Sequence, residues 1–259
     1  MTPIRWLVQS MEDAPDVTEA WLGAQETARL AGLTLSKRRR DWLLGRWTAK
    51  RLLQSVLAEE GQALLPLTSI VIDNDPDGAP FAARAEGDHL WRLPVSLSIS
   101  HSRGVALCAA ADLRRAPGVT VGADIEFVEP RARSFVHDFF APEEIELLAR
   151  VEGEDGEQKS GFLEKPDFYC SDYDGLATAI WSGKEAALKA LRTGLRVDTR
   201  AAICLIEPPL NMNNNWTPFA IRFAERPALA AAREAAWSGW WRRMEAWPGF
   251  VMTMVAKED

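Results

Sequence analysis

The sequence predicts an α+β fold in which a long helix followed by antiparallel strands occurs twice. Helical segments bounded by turn residues alternate with short β-type runs joined by tight turns, a pattern that favours antiparallel pairing. Residues 103–111 (RGVALCAAA) and 248–256 (PGFVMTMVA) also share a turn glycine followed by an apolar strand. Internal duplication and independent origin of this common pattern both remain open. A duplication would place a cleft, where ligand pockets tend to form, between two similar α+β halves.

The first half is predicted to begin with one long helix over residues 36–60. Ser36 is the expected N-cap, Gly61 follows the end, and apolar residues cover a broad arc of the helix. Three β-type runs follow, at residues 69–72, 95–100 and 105–111.

The second half repeats this theme. Residues 119–128 are predicted to form a strand, 143–150 a helix that opens with Pro142, and 177–192 a longer helix closed by Gly194. Further strands are predicted at residues 203–206, 219–223, 240–247 and 250–256.

Two changes of composition divide the chain. Residues 114–118 (RRAPG) are typical of a turn and predict two subdomains, residues 1–117 and residues 118–259. Residues 151–171 are rich in Gly, Asp, Glu and Lys and are expected to form an exposed, mobile excursion.

Composition excludes several classes of protein. The 259 residues carry 30 Lys and Arg against 37 Asp and Glu, a formal net charge of −7, which argues against a general nucleic-acid binder. The longest apolar run has seven residues, whereas a membrane span needs about 18. With no secretory signal at the N-terminus, a cytoplasmic protein is expected. The three cysteines, Cys108, Cys170 and Cys204, show no CxxC spacing and are expected to be reduced core residues.

Two acidic residues alternate with apolar residues in the strand predicted at 119–128. Asp124 and Glu126 point to the same face, because successive side chains of a strand point to opposite faces. Neighbouring carboxylates repel each other unless a cation lies between them, and hard oxygen ligands suit Mg²⁺. A solvated polar strand face explains the same spacing.

The helix predicted at 177–192 carries three charged candidates. Glu185 and Lys189 are four residues apart, which is also the spacing of an ordinary surface ion pair. Lys184 falls within the apolar arc, where its ammonium needs an anionic partner or a route to water. A phosphate would satisfy Lys184, and snorkelling of its side chain to solvent would do so equally well.

Two further segments are candidates for binding an anion. Ser100, His101 and Ser102 end a strand beside a glycine turn, where hydroxyls, an imidazole and turn amides could cradle a phosphate. An ordinary hydrogen-bonded histidine is the alternative. The basic run at residues 37–40 (KRRR), followed by Arg46, is the strongly positive patch of an acidic chain, although such a patch is usually a solvated helix face.

Taken in order, six motifs resemble the 4′-phosphopantetheinyl transferases of the surfactin-synthetase-activating type. They are LLGRWTAKRLL (43–53), DGAP (77–80), SISHSRGVALCAA (98–110), VGADIE (121–126), FFAPEEIELL (139–148) and WSGKEAALKALRTGL (181–195). The resemblance covers nearly the whole chain. Its most specific part is a GxDIE strand followed about 55 to 60 residues later by WSxKEAxxK.

The resemblance implies two similar α+β halves with coenzyme A bound in the cleft between them. It also implies transfer of the phosphopantetheine arm to a serine of an acyl or peptidyl carrier protein, with release of adenosine 3′,5′-bisphosphate. Mg²⁺ is the expected cofactor, and no nucleic acid or membrane is expected as a partner. The carrier and its pathway stay open, and a monomer is expected.

The same resemblance implies residue roles. Asp124, Glu126 and Glu185 match the Mg²⁺ ligands. Ser100 and His101 match the segment that holds the 3′-phosphate of coenzyme A, Arg46 matches a position contacting that phosphate, and Lys184 and Lys189 match the lysines near the pyrophosphate. Glu185 is the expected base and Lys189 the expected acid or electrostatic partner of the leaving group, and His101 is counted with these catalytic residues.

The sequence departs from this family at two places. The turn that is commonly GKP reads Gly78, Ala79, Pro80, so a lysine is missing and only backbone contacts carry over. The usual GIDIE reads GADIE. The stretch 153–175 is long for the family, and its position suggests an influence on partner choice.

Two other functions compete with transfer. A non-catalytic module that binds coenzyme A or a carrier protein would not require Asp124, Glu126, Glu185 and Lys189 together. A kinase is disfavoured because the sequence contains neither a GxxxxGK[ST] loop nor an HRD-type catalytic sequence.

Overall fold

The computed structural model describes residues 4–13, 19–58, 64–158, 172–207 and 215–258. The chain forms two compact units, residues 1–123 and residues 124–259. Each unit combines helices with antiparallel strands, which confirms the predicted α+β class. Within the described residues, no helix is both long enough and apolar enough to span a bilayer.

The first unit opens with a strand and two helices and continues as strands. Its elements are β1 (Ile4–Ser10), α1 (Ala24–Ala31), α2 (Ser36–Leu57), β2 (Ile70–Asn74), β3 (Pro80–Glu86), β4 (His89–Arg92), β5 (Val95–Ser102) and β6 (Val105–Asp112). One sheet has the order β1-β6-β5 and the other β2-β3-β4. Helix α2 packs on β6, a strand buried along its whole length, through residues that include Leu52 and Leu53.

The second unit has the same succession of strand, helices and strands. Its elements are β7 (Thr120–Phe127), which crosses the division, α3 (Arg133–Phe139), α4 (Pro142–Gln158), α5 (Asp172–Ala190), β8 (Ala202–Leu205), β9 (Thr217–Phe223), α6 (Ala230–Glu234), β10 (Ala236–Arg242) and β11 (Phe250–Glu258). The sheet order is β7-β11-β10-β9-β8. Helix α5 packs on β11, β8 and α4, so both strands and helices position its side chains.

The N-terminus of α2 differs from the prediction. Leu35 occupies the N-cap position, Ser36 is the first helical residue, and no side chain caps the helix. Residues 37–39 therefore lie in the first turn and Arg40 follows it, and lysine and arginine at this end of the helix oppose the helix dipole. Gly61 lies outside the described residues.

Arg192, rather than the predicted Gly194, closes α5. Arg192 has a φ of 61°, its amide donates to Lys189 O over 3.0 Å, and the Thr193 amide donates to Leu188 O over 3.1 Å. This pair of bonds is a Schellman motif, whose left-handed position is usually glycine.

Other predicted bounds are also wrong: α5 starts at Asp172 rather than at residue 177, and α2 ends at Leu57 rather than at residue 60. The strand expected at 240–247 is β10, which starts at Ala236 and ends at Arg242, because the following residues turn: the Trp247 amide donates to Met244 O and the Phe250 amide to Trp247 O. Helix α4 continues to Gln158, so residues 151–158 are helical rather than part of an excursion, and residues 159–171 lie outside the described residues.

Several elements were not expected from the sequence. β4 is exposed along its whole length, so it has no alternation of apolar and polar residues to reveal it. The other unexpected elements are β1, β3, α1, α3 and α6. The core placement of Cys108 and Cys204 is confirmed, whereas Cys170 lies outside the described residues.

Candidate active site

The candidate site of the second unit combines side chains from β7 and α5. Asp124 is buried and Glu126 is half-buried, and both stand on the same face of β7. Glu185 and Lys189 lie one turn apart on α5. The four residues that were expected to form the site therefore lie on a strand and a helix, which hold side chains more rigidly than loops do.

Lys189 links the two elements. Its Nζ donates to Asp124 Oδ1 over 2.6 Å and lies 3.7 Å from Glu185 Oε2. The ammonium of Lys189 thus lies between a carboxylate of β7 and a carboxylate of its own helix.

The acidic groups perturb one another. Burial and then the charge of Asp124 raise the pKa of Glu126 to about 7, and the same two causes raise the pKa of Glu185. Burial opposes the charge on Lys189, but Asp124 and Glu185 outweigh it and raise the pKa of the ammonium. The cluster therefore concentrates negative charge that one lysine only partly compensates.

Arg131 is a member of this cluster that sequence reasoning missed. Its Nη2 lies 3.9 Å from Glu126 Oε2, and its guanidinium packs over the Phe135 ring at 4.9 Å. Arg131 follows β7 in a connection without a recognisable motif, so the sequence alone offered no signal for it.

The donor set fits a hard divalent cation in its chemistry, because Asp124 and Glu126 on β7 and Glu185 on α5 offer carboxylate oxygens, and added positive charge would relieve their mutual repulsion. Across the described ranges, no group of three or more His, Cys, Asp or Glu is arranged to hold a metal ion. In this conformation Lys189 and Arg131 supply the positive charge beside the carboxylates.

Lys184 does not stand where a phosphate ligand was expected. Its side chain is 0% exposed, and Nζ binds Glu144 Oε2 at 2.6 Å, Ala202 O at 2.6 Å and Thr199 O at 3.0 Å. These partners satisfy the three protons of the ammonium. The expectations that Lys184 binds a phosphate or extends to solvent are therefore wrong, because Lys184 forms a buried ion pair. Glu144, four places before the end of the FFAPEEIELL motif, was missed as the partner.

In the first unit, Arg46 connects to the turn at residues 78–80. Arg46 Nη2 donates to Asn74 Oδ1 over 3.2 Å, and Asn74 Nδ2 donates to Gly78 O over 2.8 Å. Gly78 has a φ of 92°, which favours glycine. Asn74 was not expected from the sequence, and it joins two motifs that the family resemblance treats separately.

Arg46 is itself an unusual cation. It is buried, its guanidinium packs over the Trp42 ring at 5.1 Å, and burial lowers its pKa. Its Nε is buried and has no hydrogen-bond partner among the described residues. A buried donor of this kind is costly unless a ligand accepts from it.

Ser100 and His101 lie near the end of β5, which a two-residue turn at Arg103 and Gly104 joins to β6. Ser100 is buried, whereas the His101 side chain is exposed. His101 is therefore accessible to a ligand, and its expected role in phosphate binding stays a prediction.

Comparison with known proteins finds one family model that matches part of the chain, from β7 to α6. No curated protein matches the chain. Among solved structures, holo-[acyl-carrier-protein] synthase of Thermotoga maritima is similar at 16% identity, covering 58% of this chain and 89% of that chain with a TM-score of 0.34. Residues 120–234, which contain Asp124, Glu126, Glu185 and Lys189, match the family model of the 4′-phosphopantetheinyl transferase superfamily.

Proposed function

We propose that this protein is a 4′-phosphopantetheinyl transferase that converts an apo carrier protein to its holo form. The observation that supports this most strongly is the Asp124–Lys189–Glu185 cluster within the segment that matches the superfamily model. The co-substrate is coenzyme A, and the acceptor is a serine hydroxyl of an acyl or peptidyl carrier protein. Membership of the surfactin-synthetase-activating type is part of the proposal.

The reaction displaces one phosphate oxygen by another. The serine oxygen forms a bond to the phosphorus that bears the pantetheine arm, and the bond from that phosphorus to the pyrophosphate bridging oxygen breaks. Adenosine 3′,5′-bisphosphate leaves with the electron pair. Such a displacement needs positioning and charge compensation more than covalent help from the protein.

Glu185 accepts the serine proton, directly or through a water molecule that it orients. Glu185 projects from α5 one turn before Lys189, so proton acceptance and stabilisation of the leaving group would occur on the same face of the helix. Lys189 stays protonated because of its acidic neighbours, so it can stabilise the charge that develops on the leaving group.

Asp124, Glu126 and Glu185 would hold the Mg²⁺ ion. When bound, the ion supplies Lewis-acid stabilisation of charge on phosphate oxygens. Arg131 and Lys189 would keep the carboxylates oriented by pairing with them.

Arg46, Ser100, His101 and the backbone of residues 78–80 are proposed to bind coenzyme A. The buried Nε of Arg46 and the exposed imidazole of His101 are suited to a phosphate. We further propose that the protein acts in the cytoplasm as a monomer, and that residues 37–40 attract an acidic carrier protein.

Intact mass spectrometry of a panel of apo carrier proteins tests the proposal. Each carrier is incubated with the protein, coenzyme A and Mg²⁺, and the expected result is a mass gain of about 340 Da, the phosphopantetheinyl increment. Glu185→Gln and a chelator should both abolish the gain. Glu146→Gln, which changes an exposed glutamate on α4, is the matched control and should leave it intact.

The outcomes separate transfer from binding. If no carrier gains mass while calorimetry still detects coenzyme A binding, the protein is a binding module and the transferase proposal is wrong. If Glu185→Gln transfers at the wild-type rate, transfer stands and the role of Glu185 is wrong.

A further inference from the structure

The buried pair of Lys184 and Glu144 belongs to a larger hydrogen-bond network, here called the polar frame, that includes the backbone amides of Ala141 and Cys204. Glu144 is the third residue of α4, and its Oε2 accepts from the amide of Ala141, the residue that precedes the helix, over 2.7 Å. Its Oε1 accepts from the amide of Cys204 on β8 over 2.7 Å. One carboxylate therefore ties α4, α5 and β8 together, with every contact inside the second unit.

The first unit contains the same frame. Lys50 on α2, 0% exposed, pairs with Glu26, the third residue of α1. Glu26 Oε2 accepts from the amide of Gly23, which precedes α1, over 3.1 Å, and Oε1 accepts from the amide of Ile72 on β2 over 3.2 Å.

The correspondence extends to spacing. Ile72 and Cys204 are each the third residue of their strand. Lys50 also donates to the carbonyl of Leu67, five residues before Ile72, and Lys184 donates to that of Thr199, five residues before Cys204. Each carbonyl belongs to the first residue of a 3₁₀ turn that leads into the strand.

The two long helices also share a sequence around the lysine. Residues 47–50 read WTAK and residues 181–184 read WSGK. The next position differs: Arg51 follows Lys50, whereas Glu185 follows Lys184. The recurrence of the frame and its sequence favours internal duplication over the independent origin that the sequence analysis left open.

We propose that Glu144 and Lys184 are positioning residues that fix the turn of α5 from which Glu185 and Lys189 project, and that Glu26 and Lys50 are their duplicated counterpart. The role in catalysis rests on the proposed transferase function. A buried pair with every polar atom bonded restricts helix rotation and sliding, because any displacement leaves a charge without its partners. Glu185 adjoins Lys184 in the chain, so a shift of that turn moves its carboxylate directly.

The duplication provides a matched control. The double variant Glu144→Gln/Lys184→Met removes both charges of one pair at similar volume, and Glu26→Gln/Lys50→Met does the same in the other unit. Removing both partners avoids leaving one buried charge uncompensated. Both variants are assayed well below their melting temperatures with a carrier that the wild-type protein modifies.

We expect the second-unit variant to lose at least tenfold in kcat with KM for coenzyme A within twofold of wild type. The first-unit variant should keep kcat within twofold, while KM for coenzyme A rises because Arg46 lies one turn before Lys50 on α2. Equal loss of kcat in both variants, or wild-type kcat in the second-unit variant, would overturn the positioning role. An inactive wild-type protein would instead refute the proposed function.

A second measurement does not depend on activity. Acetic anhydride labelling read by peptide mass spectrometry reports the protection of Lys189, with Lys257 as the internal reference. Labelling of Lys189 should increase at least threefold in the second-unit variant and stay unchanged in the first-unit variant. Unchanged labelling in both would overturn the proposal, and Glu144→Asp replaces the double variant if that variant does not fold.

Discussion

Lys189 and Asp124 are 65 positions apart in the sequence, and a 2.6 Å hydrogen bond joins them across α5 and β7. This bond makes one lysine the main positive charge among three carboxylates. It also couples a helix residue to the strand on which the acidic pair stands.

Replacing Lys189 tests this coupling. Lys189→Met should lower kcat/KM for transfer about 10²- to 10³-fold, because in the proposed mechanism it removes a preorganised charge that stabilises the leaving group. Steady-state kinetics with a modified carrier measures the change, and Lys257→Met serves as control. A loss below tenfold would assign Lys189 a structural role only.

Arg46 should confer recognition of the 3′-phosphate. The wild-type protein is expected to have a lower KM for coenzyme A than for dephospho-coenzyme A, and Arg46→Lys should reduce this preference about tenfold by losing the guanidinium geometry. Arg51→Lys, five residues further along α2, should leave the preference unchanged. An unaltered ratio of the two KM values in Arg46→Lys would contradict the assignment.

Asp198 predicts a pH dependence of stability. Hydrogen bonds from Arg200 and then Arg226 lower the pKa of its carboxyl. The unfolded chain therefore binds the proton more tightly, so this stabilisation is present above the unfolded pKa and is lost as pH falls through the folded one. Asp198→Asn should cost about 1 kcal/mol at pH 7 because the pair is partly exposed. Urea unfolding should show the difference shrinking below about pH 4, and a constant difference would refute the mechanism.

Arg192 is a site for stabilisation. Its left-handed conformation at the end of α5 is strained for any residue with a Cβ atom, so Arg192→Gly should raise the free energy of unfolding by about 0.5 to 1 kcal/mol after the entropic cost of glycine. Arg192→Ala keeps the Cβ atom and should bring no gain. Chemical denaturation of the wild-type protein and the two variants measures these differences in the free energy of unfolding. Equal stability of the Gly and Ala variants would exclude backbone strain as the cause.

The exposed cations at the start of α2 should control the rate of carrier docking. Stopped-flow association is expected to slow with added salt, since exposed charges are screened. Arg38→Glu should lower the association rate at low salt, whereas Arg233→Glu on α6 should not. A rate independent of salt would remove residues 37–40 from the docking surface.

The spacing of residues in the sequence correctly predicted which side chains are neighbours within a single helix or strand. Asp124 with Glu126, and Glu185 with Lys189, follow from the periods of a strand and a helix. The sequence also placed Lys184 correctly within the apolar arc of its helix. It could not identify the partner, because Glu144 is 40 residues away and approaches only through the packing of α4 on α5.

Helix ends were predicted less well for a related reason. Ser36 and Gly194 are favoured residue types at helix termini, yet Leu35 and Arg192 occupy the terminal positions. Tertiary packing outweighed these preferences, each of which contributes about 1 kcal/mol. Asn74 and Arg131 were missed because their importance arises from contacts between elements.

The buried cysteines allow local opening of each unit to be measured separately. Cys108 and Cys204 are 0% exposed, one in each unit, and burial raises the pKa of the Cys204 thiol. Since only an exposed thiolate reacts readily with alkylating reagents, each cysteine becomes reactive when its own surroundings open. The Cys204 amide is bonded to Glu144, so alkylation kinetics at Cys204 would report how often the segment around the buried ion pair opens in the native protein.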